Sequence, residues 1–288
     1  LNERISSARQ KAKARLKELP VWPTLLTAGN LACGCTAILC AAAHQPMLQA
    51  GAILVFAAMI FDMFDGKVAR LTGTDSEFGI QLDSLADIVS FGVAPAMLVH
   101  RLVLGSTPGP VWGQGERLIW CIAVGYAVLA AIRLARYNVE AHDDYDDSHA
   151  DEKSTPSKCF KGLPSPGAAG VICAWIIGYV YTFGQDAEVA PGSVHYWMRI
   201  GLMILTATCA LLMVSRAPFP HLGNTLLAGR KGFRIVVLLV GLIMLGAMFP
   251  VPAVVIVTSG YLLYGLSLGL VGLVNNLRRG KSLLEEDD

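Results

Sequence analysis

The sequence predicts an all-α, polytopic transmembrane helical bundle of about eight spans, and three observations predict it. Apolar residues make up 54% of the 288 positions and charged residues only 16%, against roughly 25% charged in an ordinary soluble domain. Mean hydropathy is +0.52. The apolar residues gather into runs close to the ~20 residues that cross the hydrocarbon core of a bilayer, so membrane lipid is the natural solvent for most of this chain. The formal net charge of +1 conceals a strong local imbalance, and nucleic acid is not expected as a partner.

Taken in order, the runs lie at 22–43, 48–65, 82–104, 118–137, 164–184, 197–214, 233–249 and 253–275. Carboxylates interrupt the second and third. Pro250 and Pro252 separate the last two, which read as a tight helical hairpin. Lysine and arginine beside the spans set orientation. The N-terminal segment carries Arg4, Arg9, Lys11, Lys13, Arg15 and Lys17. The even-numbered span ends carry Lys67 and Arg70, then Arg133, Arg136 and Lys161, then Arg216, Arg230, Lys231 and Arg234, then Arg278, Arg279 and Lys281. The opposite side has only Arg101, Arg117 and Arg199 near the boundary. Both termini are therefore expected in the cytoplasm of a prokaryotic cell, with the protein integral to its membrane.

The expected organisation is a basic amphipathic N-terminal segment at 1–21, a core of spans at 22–216, a cytoplasmic loop with two further spans at 217–275, and a cytoplasmic tail at 276–288. Residues 3–19 read as a helix lying on anionic lipid or as a solvated basic arm. No cleavable signal peptide is read, because the apolar run that follows is too long for a signal core. The connection at 138–162 holds Glu140, Asp143, Asp144, Asp146, Asp147, Asp151 and Glu152. It lacks the glycine and ligand spacing of a calcium loop and reads as a solvated acidic loop. The seven cysteines have no metal-ligand spacing, lie mostly inside apolar runs, and act there as small hydrophobes.

The chemistry is concentrated in Phe61-Asp-Met-Phe-Asp-Gly-Lys-Val-Ala-Arg70 and Gly79-Ile-Gln-Leu-Asp-Ser-Leu-Ala-Asp87. Ionisable residues within a span are costly and mark function by default. Asp62 and Asp65 are three apart and share one helix face; Asp83 and Asp87 are four apart and share a face of the next helix. A short connection makes these helices antiparallel neighbours, so the two pairs meet near the cytoplasmic boundary. Four carboxylates in one partly desolvated place cannot all ionise without a counter-charge. Hard divalent cations take such oxygen ligands, and two metals about 4 Å apart serve phosphoryl chemistry. Gly66, Ala69 and Gly79 leave room for a bulky ligand, and Arg70 offers a fork suited to phosphate. The bland alternative is a buried ion-pair network in which Lys67 and Arg70 neutralise the aspartates.

The pattern Asp62-x-x-Asp65-Gly66-x-x-Ala69-Arg70, eight residues, Gly79-x-x-x-Asp83-x-x-x-Asp87 resembles the signature of the CDP-alcohol phosphotransferase family at every specified position. The resemblance implies a six-helix core, two divalent cations (Mg2+ or Mn2+), a CDP-linked donor such as CDP-diacylglycerol, release of CMP, and a homodimer. It implies that Asp62 and Asp83 bridge both metals, that Asp65 and Asp87 each complete one site, and that Asp87 is also the catalytic base on the acceptor hydroxyl. Gly66, Ala69, Arg70, Ser76 and Gly79 would surround the CDP group. Pro23-Thr24-Leu25-Leu26-Thr27, followed by Asn30, resembles the family's nucleotide-lining element, which brings Thr24 and Thr27 into the same site. Read alone, either threonine is a helix cap or a satisfied hydroxyl.

The acceptor is read from outside the signature. Thr27-Ala-Gly-Asn-Leu-Ala-Cys-Gly34, Arg133-Leu-Ala-Arg-Tyr-Asn-Val139, Phe160-Lys-Gly-Leu-Pro-Ser-Pro166 and Leu212-Met-Val-Ser-Arg216 are similar to segments of bacterial and archaeal phosphatidylserine synthases. That resemblance implies L-serine. A serine carboxylate needs a cation, and Arg133, Arg136, Lys161 and Arg216 are candidates, although the arginines also mark topology. Glycerol 3-phosphate, inositol phosphate and choline are the other acceptors this chemistry admits. Gly162, Pro164, Pro166 and Gly167 predict an irregular start to the fifth span, tolerated where backbone lines a cavity or contacts protein. An ion transporter also uses intramembrane carboxylates but would not need Gly66 and Ala69 interleaved with them. A lipid scaffold would not need the aspartates at all.

Overall fold

The computed structural model describes residues 21–72, 77–104, 114–147, 159–184, 193–215, 218–220 and 248–285. The architecture is an all-helical bundle. Helix α1 (Val21–Ala42) and α2 (Leu48–Thr72) form an antiparallel hairpin. The third span is composite: α3 (Glu77–Asp87), a π-helical segment (Ile88–Val93) and α4 (Ala94–Leu104) run as one. Then come α5 (Gln114–Asp147), α6 (Ser165–Phe183), α7 (Val194–Val214) and α8 (Pro250–Glu285). Seven described helices are long and apolar enough to cross a membrane, from Trp22–Ala42 to Pro250–Gly269. The expected span at 233–249 lies outside the described residues except for its last two positions. The basic segment at 1–20 also lies outside them.

Three boundaries differ from expectation for local reasons. The third span begins at Phe78 rather than 82, because the turn carrying Gly79 and Gln81 is helical although not apolar. Helix α5 runs ten residues past the expected end of its span, to Asp147. The acidic stretch therefore starts on a helix rather than a loop; from Arg136 to Asp147 there is no glycine or proline to stop it. Likewise α8 continues through the expected tail as far as Glu285.

The π segment has a visible cause. Pro95 has no N–H to give to the carbonyl four residues back. That carbonyl, on Phe91, instead accepts a 3.0 Å hydrogen bond from the buried Tyr126 hydroxyl of α5. One residue earlier, the Ala94 N–H reaches back five positions to Val89. The added residue shifts the phase of the helix immediately after Asp87. It also sets Ser90 against α1: a Cβ on Gly34 would fall 2.3 Å from Ser90 Oγ and 2.8 Å from its Cα. Only glycine permits that approach.

Helix α6 is the most buried of the described spans and α8 the least. The core around α6 is built from Phe91, Leu98, Leu102, Ile119, Tyr126, Ile172, Ile176 and Met213. The start of α6 is irregular, as Gly162 and the prolines predict. A two-stranded antiparallel ribbon pairs β1 (Cys159–Lys161) with β2 (Pro218–Pro220), Phe160 opposite Phe219. Gly162 then turns with φ +92, its missing Cβ position 2.6 Å from the Met213 carbonyl oxygen. The Leu163 N–H bonds to the Leu212 carbonyl at 3.1 Å, and Pro164 caps α6. This ribbon ties the start of α6 to the end of α7.

Candidate active site

Helix periodicity brings the carboxylates of the last turns of α2 and of α3 to facing sides. Asp62 and Asp65 project from one face of α2, and Asp83 and Asp87 from one face of α3. Around them α1 packs against both helices, and α2 meets the third span mainly through the π segment and α4. At α3 itself the two backbones make few close approaches. A cleft is left there, floored by α1 and lined by carboxylates.

Asp62, Asp83 and Asp87 each place one carboxylate oxygen within 4.8 Å of the others. Asp65 stands beside this trio, buried, and is held differently. The Thr27 hydroxyl lies 3.0 Å from Asp65 Oδ2 and 3.0 Å from the Pro23 carbonyl, one proton serving two acceptors. The Gly66 N–H donates to Asp65 Oδ1 at 2.6 Å. Asn30, fully buried on α1, donates from Nδ2 to Asp87 Oδ1 at 3.1 Å. Its own backbone carbonyl accepts from Ser90 Oγ at 3.0 Å. The π segment thus braces the residue that braces Asp87.

Two oxygens in this cleft are left over. Asp83 Oδ1 and Asn30 Oδ1 are buried with no hydrogen-bond partner among the described residues. Burying such groups unpaired costs roughly 1–3 kcal/mol each, and more for a charge. Ligand oxygens at about 2.0–2.6 Å from one cation can be at most ~5 Å apart, and the carboxylate trio meets that limit. An all-oxygen set with orphaned acceptors fits a hard divalent cation. Beside it, a Cβ on the exposed Gly66 would meet nothing within 4 Å among the described residues.

The other expected site residues divide. Thr24 is half-buried one turn before Thr27, on the same face of α1, and Gly79 is half-buried on α3. Ala69 and Arg70 lie in the last turns of α2, their side chains outside the described set, as is Ser76. Of the four acceptor candidates, Arg133 is the one whose surroundings are resolved in detail. Its Nη1 donates to the buried Ser165 hydroxyl at 2.8 Å, and its Nε is buried without a partner. Asp87, Tyr137 and Tyr261 lie within electrostatic reach of its guanidinium. Arg136 is half-buried one turn further along α5. Lys161 sits on β1 with its side chain outside the description, and Arg216 lies outside the described residues. Ser165 and Tyr261, the neighbours of Arg133, are not marked by the sequence. A lone serine at a helix start and a tyrosine in a distant span carry no spacing signal.

An aspartate-lined cleft on a helical membrane bundle defines a class of protein, and sequence comparison identifies it. The family model for CDP-alcohol phosphatidyltransferase matches residues 20–214, and the chain belongs to that family. Its relatives narrow the class. A CDP-diacylglycerol--serine O-phosphatidyltransferase of Mycobacterium tuberculosis (strain ATCC 25618 / H37Rv) is 33% identical over 200 residues, 69% of this chain and 61% of that protein. The Bacillus subtilis (strain 168) protein of the same name is 31% identical over 201 residues, 69% of this chain and 89% of that one. That of Helicobacter pylori (strain J99 / ATCC 700824) is 29% identical over 255 residues, 87% and 92% respectively. The chain spans about three fifths of the length of the mycobacterial relatives it matches.

Proposed function

We propose that this chain transfers the phosphatidyl group of CDP-diacylglycerol to L-serine, yielding phosphatidylserine and CMP at the cytoplasmic face of a bacterial membrane. The observation that carries the reading is the convergence of Asp62, Asp83 and Asp87 in a cleft open at Gly66. Family membership supports the donor, and the names of the relatives support the acceptor.

Asp62, Asp65, Asp83 and Asp87 would hold two divalent cations, Mg2+ or Mn2+. Bound there, such cations neutralise the pyrophosphate and stabilise the attacking and leaving oxygens of an in-line displacement. The chain's own residues do the rest. Thr24, Thr27, Gly66, Ala69, Arg70, Ser76 and Gly79 surround the CDP head, with glycine and alanine admitting it and Arg70 pairing with phosphate. Asn30 engages Asp87 Oδ1, which fixes the carboxylate and leaves Oδ2 to take the proton of the serine hydroxyl. Arg133 presents a guanidinium fork to the serine carboxylate, Ser165 occupying one of its five donors. Arg136, Lys161 and Arg216 add positive charge at the same membrane face. Both termini are read as cytoplasmic, supported by the distribution of lysine and arginine.

The test is CMP release by the purified protein with CDP-diacylglycerol, a divalent metal, and each alcohol in turn. Release with serine well above that with glycerol 3-phosphate, inositol phosphate or choline is expected. A preference for one of those three reassigns the acceptor. No metal-dependent release with any of them overturns the reading.

A further inference from the structure

Helix α8 lies outside the segment that the family model matches and is little buried among the described residues, and yet it docks specifically on α6. Trp175 Nε1 donates to Ser259 Oγ at 3.0 Å, and Val255 packs where a Cβ on Gly178 would stand at 3.0 Å. Leu262 is buried at 5% exposure, a further turn along the same stripe. At the cytoplasmic end of this seam Tyr261 reaches over the first turn of α6. Its Cε1 is 3.1 Å from the Cβ position of Gly167, so any larger residue there would displace the ring. Two residues earlier, Ser165 accepts the hydrogen bond from Arg133. Tyr261 and Arg133 are thereby brought into one charged neighbourhood that also includes Asp87.

We propose that Tyr261 is a positioning residue for the acceptor: with Ser165 it orients the Arg133 guanidinium, so that α8 completes the acceptor site from outside the family core. This rests on the reading of Arg133 as the carboxylate-binding cation. A guanidinium with an uncommitted buried Nε has several rotamers open to it. Ser165 restrains one edge, and the Tyr261 hydroxyl would restrain another without neutralising the charge. The role needs the Tyr261 hydroxyl, whereas the ring alone is enough for packing against Gly167.

Kinetics of Tyr261→Phe test this directly, because the ring and its packing remain. KM for serine should rise about tenfold, the effect of losing one hydrogen bond to a charged group, with kcat and KM for CDP-diacylglycerol unchanged. The preference for serine over serinamide, which lacks the carboxylate, should fall by a similar factor. Gly167→Ala, which makes the ring give by a few tenths of an ångström, should shift both in the same direction by a smaller factor. An unaltered serine KM in Tyr261→Phe overturns the proposal, as does a fall in kcat with an unchanged ratio. If the wild-type protein prefers a phosphorylated alcohol, the serine reading falls separately, and Tyr261→Phe must then raise the KM for that anion instead.

Discussion

The third span carries buried polar chemistry near both of its ends, and the two ends differ. At Asp87 the cleft holds converging carboxylates and two oxygens without partners, Asp83 Oδ1 and Asn30 Oδ1. About 24 Å along the same span, at ~1.5 Å per residue, Val103 lies beside the buried Arg199 of α7. There Arg199 Nε donates to the Tyr179 hydroxyl at 3.1 Å, Nη1 reaches the Val103 carbonyl at 3.4 Å, and the guanidinium lies 5.7 Å from the Tyr179 ring centroid. Both ends hold buried polar atoms with no partner among the described residues, Arg101 Nε and His195 Nδ1 at the far one, but at the far end Arg199 is met by its neighbours, whereas the Asp87 end gathers like charges. A buried guanidinium met by acceptors and an aromatic face acts as structure, whereas like charges gathered with acceptors to spare act as a binding site.

The largest effect that would sharpen this contrast is expected from Asp87→Asn. Serine-dependent CMP release should fall by about 10^3-fold, the scale of a lost general base, while binding of CDP-diacylglycerol to the membrane-embedded protein persists. Residual turnover near wild type would break the assignment. Next is Asp83→Asn, which should weaken Mn2+ binding by about 100-fold or more, given that even outer-shell changes cost 10–100-fold; titration of the purified protein with Mn2+ measures it. Thr27→Val removes the donor on Asp65 Oδ2, and about a tenfold rise in KM for CDP-diacylglycerol or in the Mn2+ requirement is expected. Smallest is the change at the far end. The pair Arg199→Met with Tyr179→Phe removes a satisfied network whole, so kcat/KM should stay within about twofold. A collapse of activity in that double variant, with thermal stability retained, would show that the far end is a site as well.

Much of the fold was legible because bilayer thickness constrains so strongly what an apolar run can be. Spans one, two, four, five and six fall within a few residues of their expected limits. The boundaries that moved, at Phe78 and Asp147, are polar helix turns, and hydropathy is blind to those. The meeting of Asp62 with Asp83 and Asp87 followed from three- and four-residue spacing on adjacent helices. The division of labour within the site did not. Asp65 leans on Thr27 rather than joining the trio, and Asn30, a single polar residue in an apolar run, is the side chain that holds Asp87.

By itself, then, the sequence determined a helical membrane bundle, the stretch that carries its chemistry, and the carboxylates that converge there. Each of these depends on local periodicity or on the requirement that apolar residues leave water. Tertiary structure alone decided the bond from Tyr126 to the Phe91 carbonyl, the brace from Ser90 through Asn30, and the approach of Tyr261 to the first turn of α6. These are contacts between residues far apart in the chain, and they depend on how closely particular helices can pack. Gly34 and Gly167 set those distances, and a glycine in a sequence does not reveal which neighbour will occupy the space it leaves.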